Sequence, residues 1–123
     1  MNRKQRPSPI MGTWRIVEME VWDREAFELE GPALITFEPD GTGAFNLIAV
    51  HGWIDARFLA REGRDAVEFS WEGNDERDPA SGRGWAILAG DRLEGRLFFH
   101  LGDDSAFTAE RLPPKTSRSP KSR

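Results

Sequence analysis

The chain has 123 residues, of which 38% are hydrophobic and 31% are charged, a composition that fits one soluble domain and leaves no room for a second. The absence of cysteine excludes a disulfide framework and any thiolate metal site. No apolar stretch is long enough for a membrane span, and residues 1 to 9 lack the apolar core of a secretory signal, so a cytoplasmic location is expected.

The net charge of −4 conceals an acidic body flanked by basic tails. All 21 acids and ten of the 17 basic residues lie in residues 11 to 112, which therefore carry about −11, whereas the two ends together hold seven lysines and arginines and no acid. Because a phosphate backbone requires a basic surface, the body is not expected to bind nucleic acid. Residues 1 to 10 and 113 to 123 are predicted to be disordered tails, and Met11 is a second candidate for the start of the chain.

Runs of β-branched and aromatic residues, separated by turn sequences, predict eight strands in residues 11 to 112. After the first strand, Asp23 is a candidate N-cap for a short helical lid segment. Residues 73 to 82 are polar and rich in glycine, which predicts a long loop. The predicted strands cover residues 12–22, 33–38, 43–50, 53–60, 66–72, 83–89, 93–101 and 105–112, with the lid at 24–29.

Short connections between successive strands favour antiparallel neighbours. The expected fold class is therefore all-β, an eight-stranded antiparallel up-and-down barrel in which the last strand pairs with the first. Gly12 and Trp14 at the start of the first strand, with Arg111 in the last, resemble the pattern of lipocalin-like (calycin) barrels. The resemblance implies that the tryptophan fills the closed end and that the arginine lies across its indole, so Trp14 and Arg111 are expected to close the barrel.

Three further stretches are similar to a family of small uncharacterised bacterial proteins with a lipocalin-like barrel: residues 69–76, 82–85 and 100–105. The resemblance covers most of residues 11 to 112 and leaves both tails outside. It implies the fold and implies no activity.

Alternation identifies the side chains that face the barrel interior, such as Phe69 and Trp71 in the fifth strand. If the first strand alternates strictly from Trp14, then Glu18 and Glu20 also enter the barrel; the alternative is a bulge that reverses the alternation. Carboxylates among aromatic rings are typical of a small-ligand site, and the opposing interpretation is a completely filled core. The candidate ligand-binding residues are Glu18, Glu20, Trp22, Phe27, Phe69, Trp71 and Phe99.

Strict alternation would also place an apolar patch on the outer face. Such a patch usually marks an interface, so a homodimer is predicted. Its residues are Val17, Met19, Val21 and Phe98, with Trp85 or Ile87.

Three function classes follow from these patterns. The leading hypothesis is a cytoplasmic protein that binds a small apolar or amphipathic ligand inside the barrel, and the second is a protein–protein interaction module with a filled barrel. The third is an enzyme that uses Glu18 or Glu20 as an acid–base group, a role that requires burial of the carboxyl group. No catalytic relay, metal site or cofactor is predicted, since His100, Asp103 and Ser105 share one tight turn and His51 is the only other histidine.

Overall fold

The computed structural model describes residues 8 to 112, which form eight strands and one short helix. Each strand pairs antiparallel with its sequence neighbours, and the last strand pairs with the first, so the sheet closes into an up-and-down barrel. The predicted fold class is confirmed. Apart from residues 8 to 10, the predicted tails lie outside the described residues. The elements are β1 Gly12–Met19, α1 Arg24–Phe27, β2 Leu34–Phe37, β3 Thr42–Leu47, β4 Val50–Arg61, β5 Arg64–Asp75, β6 Asp78–Ala89, β7 Arg92–Phe99 and β8 Asp104–Arg111.

Buried apolar side chains lie at both ends of the barrel. At the lower end, where β1 begins and β8 ends, Ile10 is fully buried and its carbonyl accepts a hydrogen bond from the Trp14 indole at 2.8 Å. Residues 8 to 10 therefore pack on the barrel, although residues 1 to 10 were predicted to be a disordered tail. At the upper end, Asp23 caps α1 as predicted, and α1 presents the buried side chain of Phe27.

The expected contact between Trp14 and Arg111 is present at the lower end. The two residues are cross-strand neighbours on β1 and β8, and Arg111 Cζ lies 4.2 Å from the centroid of the Trp14 ring. The guanidinium also donates to the carbonyls of Met11 and Pro9. Gly12 has a φ of +119°, and a Cβ at this position would lie 2.7 Å from Arg111 Nη1. The glycine before the tryptophan is thus required both by the backbone conformation and by the room that the arginine needs.

β5 and β6 form one long hairpin. The prediction of a long loop over residues 73 to 82 was therefore wrong. The two strands continue through this stretch to a turn at residues 76 and 77, and Gly73 pairs with Ala80. A Cβ on Gly73 would lie 1.8 Å from the carbonyl oxygen of His51. The glycine therefore permits close approach of β4 to β5 and does not end the strand.

Aromatic rings inside the barrel lie against glycines of neighbouring strands. A Cβ on Gly52 would lie 2.4 Å from the Phe45 ring, and one on Gly84 would lie 2.3 Å from the Phe69 ring. Large and small inward-facing residues thus complement each other across the interior, which is how side chains fill a barrel of this strand number.

Replacing Gly84 by alanine should cost about 1 to 3 kcal/mol of unfolding free energy, because the added methyl group would overlap the Phe69 ring. Urea denaturation followed by circular dichroism measures this cost. In a Phe69→Leu background the same substitution should cost less, since the smaller side chain leaves room. An equal cost in both backgrounds would show that the ring is not the obstacle.

Candidate binding surface

β1 contains a bulge that reverses its alternation. The register with β8 shifts between Ile16 and Glu18, so that Trp14, Ile16 and Met19 are buried while Glu18 is exposed. Glu20, just after the strand, is exposed as well. The prediction that Glu18 and Glu20 enter the barrel was therefore wrong, and the alternative, a bulge, is present.

Glu20 is held on the outer surface by Arg96. Its Oε1 accepts hydrogen bonds from Arg96 Nη2 at 3.0 Å and from the Ala106 backbone N–H at 3.2 Å. Arg96 also donates to Asp104, and this hydrogen bond, with the nearby Glu20 charge, raises the pKa of the guanidinium above its ordinary value. Glu18 and Glu20 both line an open recess on the outside of β1 and β8. The burial that an acid–base role of either glutamate requires is absent.

The five aromatic residues predicted to bind a ligand lie inside the barrel or at its upper rim. Phe27, Phe69 and Trp71 are buried, and Trp22 and Phe99 are partly buried against the core. The ring centroid of Phe99 lies 5.3 Å from that of Trp71 and 5.9 Å from that of Trp22. The Trp71 indole donates to a backbone carbonyl of β7 at 3.3 Å. The contacts of Phe99 with Trp71 and Trp22 are edge-to-face, the geometry of aromatic side chains that pack on one another.

One residue of the apolar patch that was predicted as a homodimer interface does not lie on the outer face. Met19 faces the interior because of the bulge, so its place in the patch was wrong. The other members lie at partly buried or exposed positions: Val17, Val21, Trp85, Ile87 and Phe98.

Trp53 is a large exposed hydrophobic residue within a strand. Residues 8 to 112 contain four large exposed hydrophobic side chains, and three of them, Val21, Leu29 and Leu101, lie in connections. Trp53 instead lies within β4, with a relative exposure of 71%. Its neighbour Ile54 faces the core, so the indole occupies an outward position of the strand. Core packing does not require an indole there.

An open recess of about 460 Å³ lies beside the Trp53 indole. The cross-strand neighbours of Trp53 are Ala44 on β3 and Glu72 on β5, and the neighbour of Glu72 on β6 is Ser81. The His100 backbone N–H donates to the Ser81 carbonyl at 2.8 Å and so brings the turn after β7 to the edge of the recess. We call this surface the Trp53 face and define it by Trp53, Glu72, Ser81 and His100.

Acidic residues outnumber basic ones around the Trp53 face. Of the acids, Glu30 contacts His51 at 3.2 Å and Asp55 contacts Arg57 at 2.6 Å. Glu72, directly beside the indole, forms no ion pair with another residue between positions 8 and 112. The surrounding charged residues are Glu30, Asp55, Glu72, Asp75, Glu76 and Asp78, with Arg57, Arg77 and Arg83.

A second open recess, of about 440 Å³, lies lower on the same wall of the barrel. Arg83 Cζ lies 5.3 Å from the centroid of the Phe98 ring, and Trp85 also lines the recess. Both aromatic side chains are partly buried. This recess therefore offers a stacked arginine but no freely exposed indole.

Within residues 8 to 112, no three histidine, aspartate or glutamate side chains are placed to hold a metal ion. The helix in this part of the chain is not long and apolar enough to cross a membrane. No family model matches the chain, and no curated protein or solved structure gives a significant match. The chemistry of the Trp53 face is thus the basis for a functional proposal.

The Trp53 face was not predicted from the sequence. One signal was available, because β4 alternates apolar and polar side chains from Ile54 to Arg57, and this pattern places Trp53 among the polar positions. A tryptophan in the polar register of a strand was thus the single indication of an outer surface site.

Proposed function

We propose that the protein is a protein-binding module that holds a lysine- or arginine-bearing segment of a partner on the Trp53 face. The 71% exposure of Trp53 within a strand, next to the carboxylate of Glu72, carries this proposal. An ammonium or guanidinium group is attracted to the face of an indole. The adjacent carboxylate adds a charge-assisted hydrogen bond to the same group.

The surroundings of Trp53 support a binding role for its indole. Single exposed hydrophobic residues are ordinary on protein surfaces, but tryptophan is enriched among the residues that dominate binding energy, and these lie in pockets. Trp53 borders a recess formed by β4, β5, β6 and the turn after β7. The charge of about −11 on residues 11 to 112 favours the approach of a basic partner.

This proposed function belongs to the second of the three classes considered from the sequence, a protein–protein interaction module. Glu18 and Glu20, the polar groups expected of an interior ligand site, are exposed. Three of the aromatic residues expected to line that site, Trp22, Trp71 and Phe99, pack on one another. A thermal-shift screen with small apolar amines and alcohols tests the interior site. A compound that raises the Tm of wild type and Trp53→Ala alike would favour the interior over the Trp53 face.

We also propose that the barrel is lipocalin-like. The up-and-down strand order and the contact between Trp14 and Arg111 support this assignment. A cytoplasmic location stays a prediction from the sequence.

Peptide titration tests the binding function. The probe is a synthetic peptide foreign to this chain, with several lysines and arginines in a serine and proline background, added to the full-length protein in a calorimeter. We expect saturable binding at about 50 mM salt and at least roughly tenfold weaker binding at about 500 mM, because salt screens exposed charges. The same peptide with glutamate at every cationic position should not bind. Failure of the basic peptide to bind, or equal binding of both peptides, would contradict the proposal.

A further inference from the structure

A row of paired residues leads across the outside of the barrel from the end of β8 to Trp53. The backbone N–H of Leu112 donates to the Thr13 carbonyl at 3.0 Å. Thr13 pairs with Thr36 on β2, and Thr36 pairs with Ala44 on β3. Ala44 pairs in turn with Trp53 on β4. Leu112 is thus four strand spacings from Trp53, which is about 19 Å at about 4.8 Å for each spacing.

The side chains along this row are short until the indole, and carboxylates border it. Thr13 and Thr36 hydrogen-bond to each other through their hydroxyl groups at 2.9 Å, and both are only partly buried. Glu38 follows Thr36 by two residues and is exposed. Glu72 is the cross-strand neighbour of Trp53. A basic segment that leaves β8 along this row therefore passes one carboxylate on its way and meets a second beside the indole.

Residues 113 to 123 have the length and the composition to follow this row. They contain four basic residues, three prolines and no acid. Proline favours the polyproline helix, which rises about 3.1 Å per residue, and proline-rich segments dock on surfaces lined by aromatic residues. In that conformation Arg118 lies about 19 Å from Leu112, which equals the distance to Trp53, and Lys115 lies about half as far along. An arginine thus arrives at the exposed indole, on which a guanidinium group stacks.

The covalent connection through Leu112 favours binding within one chain. A short tether holds a segment near its site at an effective concentration of about 1 mM. A second copy of the chain at about 10 μM is roughly a hundredfold more dilute than that. Because the tail reaches the Trp53 face of its own barrel, it fills this site before the tail of another copy does.

We propose that residues 113 to 123 occupy the Trp53 face of their own chain, with Arg118 at the indole, and that a basic partner must displace them. The inference rests on the binding function proposed above and adds its regulation. A tail that binds with a Kd of about 0.1 mM fills about nine tenths of the sites at an effective concentration of about 1 mM. It therefore lowers the apparent affinity for a basic partner about tenfold.

The Trp53 indole signal in a proton–nitrogen correlation spectrum tests the occupancy without any added peptide. The tail variant carries three substitutions, Lys115→Glu, Arg118→Glu and Lys121→Glu, and its Trp53 signal should differ from that of wild type. The matched control makes the same charge change in the other basic segment of the full-length chain, with Arg3→Glu, Lys4→Glu and Arg6→Glu, and should keep the wild-type signal. The wild-type signal should also stay in place on tenfold dilution, since occupancy within one chain does not depend on protein concentration.

Titration with the foreign basic peptide measures the competition. The peptide should bind the tail variant about tenfold more tightly than the matched control, because both carry the same net charge and only one has lost the competing segment. Equal Trp53 signals in the two variants, equal peptide affinities, or a wild-type Trp53 signal that changes on dilution would overturn the inference.

The two readouts separate the inference from the proposed function. If the peptide binds both variants equally and in a Trp53-dependent way, the proposed function stands and the tail is not the occupant. If the peptide binds neither variant although their Trp53 signals differ, the tail occupies the face and the proposed function falls.

Discussion

Replacing Trp14 by alanine should lower the free energy of unfolding by about 3 to 5 kcal/mol, the range expected for deletion of a buried aromatic side chain. Trp14 is buried, its indole donates to the Ile10 carbonyl, and Arg111 stacks on its ring. The substitution therefore leaves a cavity and also removes the partner of both contacts. Because small domains are stable by only about 5 to 15 kcal/mol, this loss is a large share of the total. Urea denaturation followed by circular dichroism measures it.

Two variants make the Trp14 result interpretable. Arg111→Ala keeps the buried indole and removes only the stacked guanidinium, so it should cost less, about 1 to 3 kcal/mol. Trp53→Ala also deletes an indole, but from an exposed position, and should change stability by no more than about 0.5 kcal/mol. If Trp14→Ala were no more costly than Trp53→Ala, Trp14 would not be a closing residue of the barrel.

Trp53→Ala should weaken binding of the foreign basic peptide by about 30-fold or more, because truncation of a central interface residue costs about 2 kcal/mol or more. The loss has two physical causes: the cation loses the indole face, and the recess beside Glu72 loses one of its walls. Calorimetric titration at low salt measures the change in Kd. The unchanged stability of this variant separates lost binding from lost folding.

Substitutions near Trp53 define the extent of the binding surface. Glu72→Gln removes one charge beside the indole and should weaken binding less than Trp53→Ala, with a smaller dependence on salt. Trp85→Ala removes a partly buried indole from the lower recess and should leave the Kd unchanged. Binding that depends on Trp85 and not on Trp53 would move the site to the recess around Arg83.

The barrel could be predicted from the sequence because its signals are local. Turn residues separate the strands, and Val67, Phe69 and Trp71 alternate with polar residues in β5. The continuation of β5 and β6 through residues 73 to 82 could not be predicted in the same way. It depends on Gly73 lying against β4, a contact that joins residues distant in sequence and makes glycine favourable in a strand.

The bulge in β1 shows why the candidate site was harder to predict than the fold. In the first strand, the apolar residues Val17, Met19 and Val21 alternate with glutamates. They lie in the opposite phase of the strand to Trp14 and Ile16. The sequence therefore showed two conflicting phases of apolar residues without showing which phase is buried. The pairing of β1 with β8 determines which phase is buried, because the register shifts after Ile16 and turns Met19 inward. A shift of one residue moves every later side chain to the opposite face, and the two glutamates follow it to the outside.

The five tryptophans provide the most direct test of whether a ligand binds outside or inside the barrel. Trp14 and Trp71 lie in the core, Trp22 lies at the upper rim, and Trp53 and Trp85 lie on the outer wall. Each indole N–H gives one signal in a proton–nitrogen correlation spectrum, and the spectrum of Trp53→Ala assigns the signal of that residue. On addition of the foreign basic peptide, the Trp53 signal should shift progressively to saturation while those of Trp14 and Trp71 stay in place. Shifts of the Trp71 and Trp22 signals with no change at Trp53 would contradict the proposal and place the ligand inside the barrel.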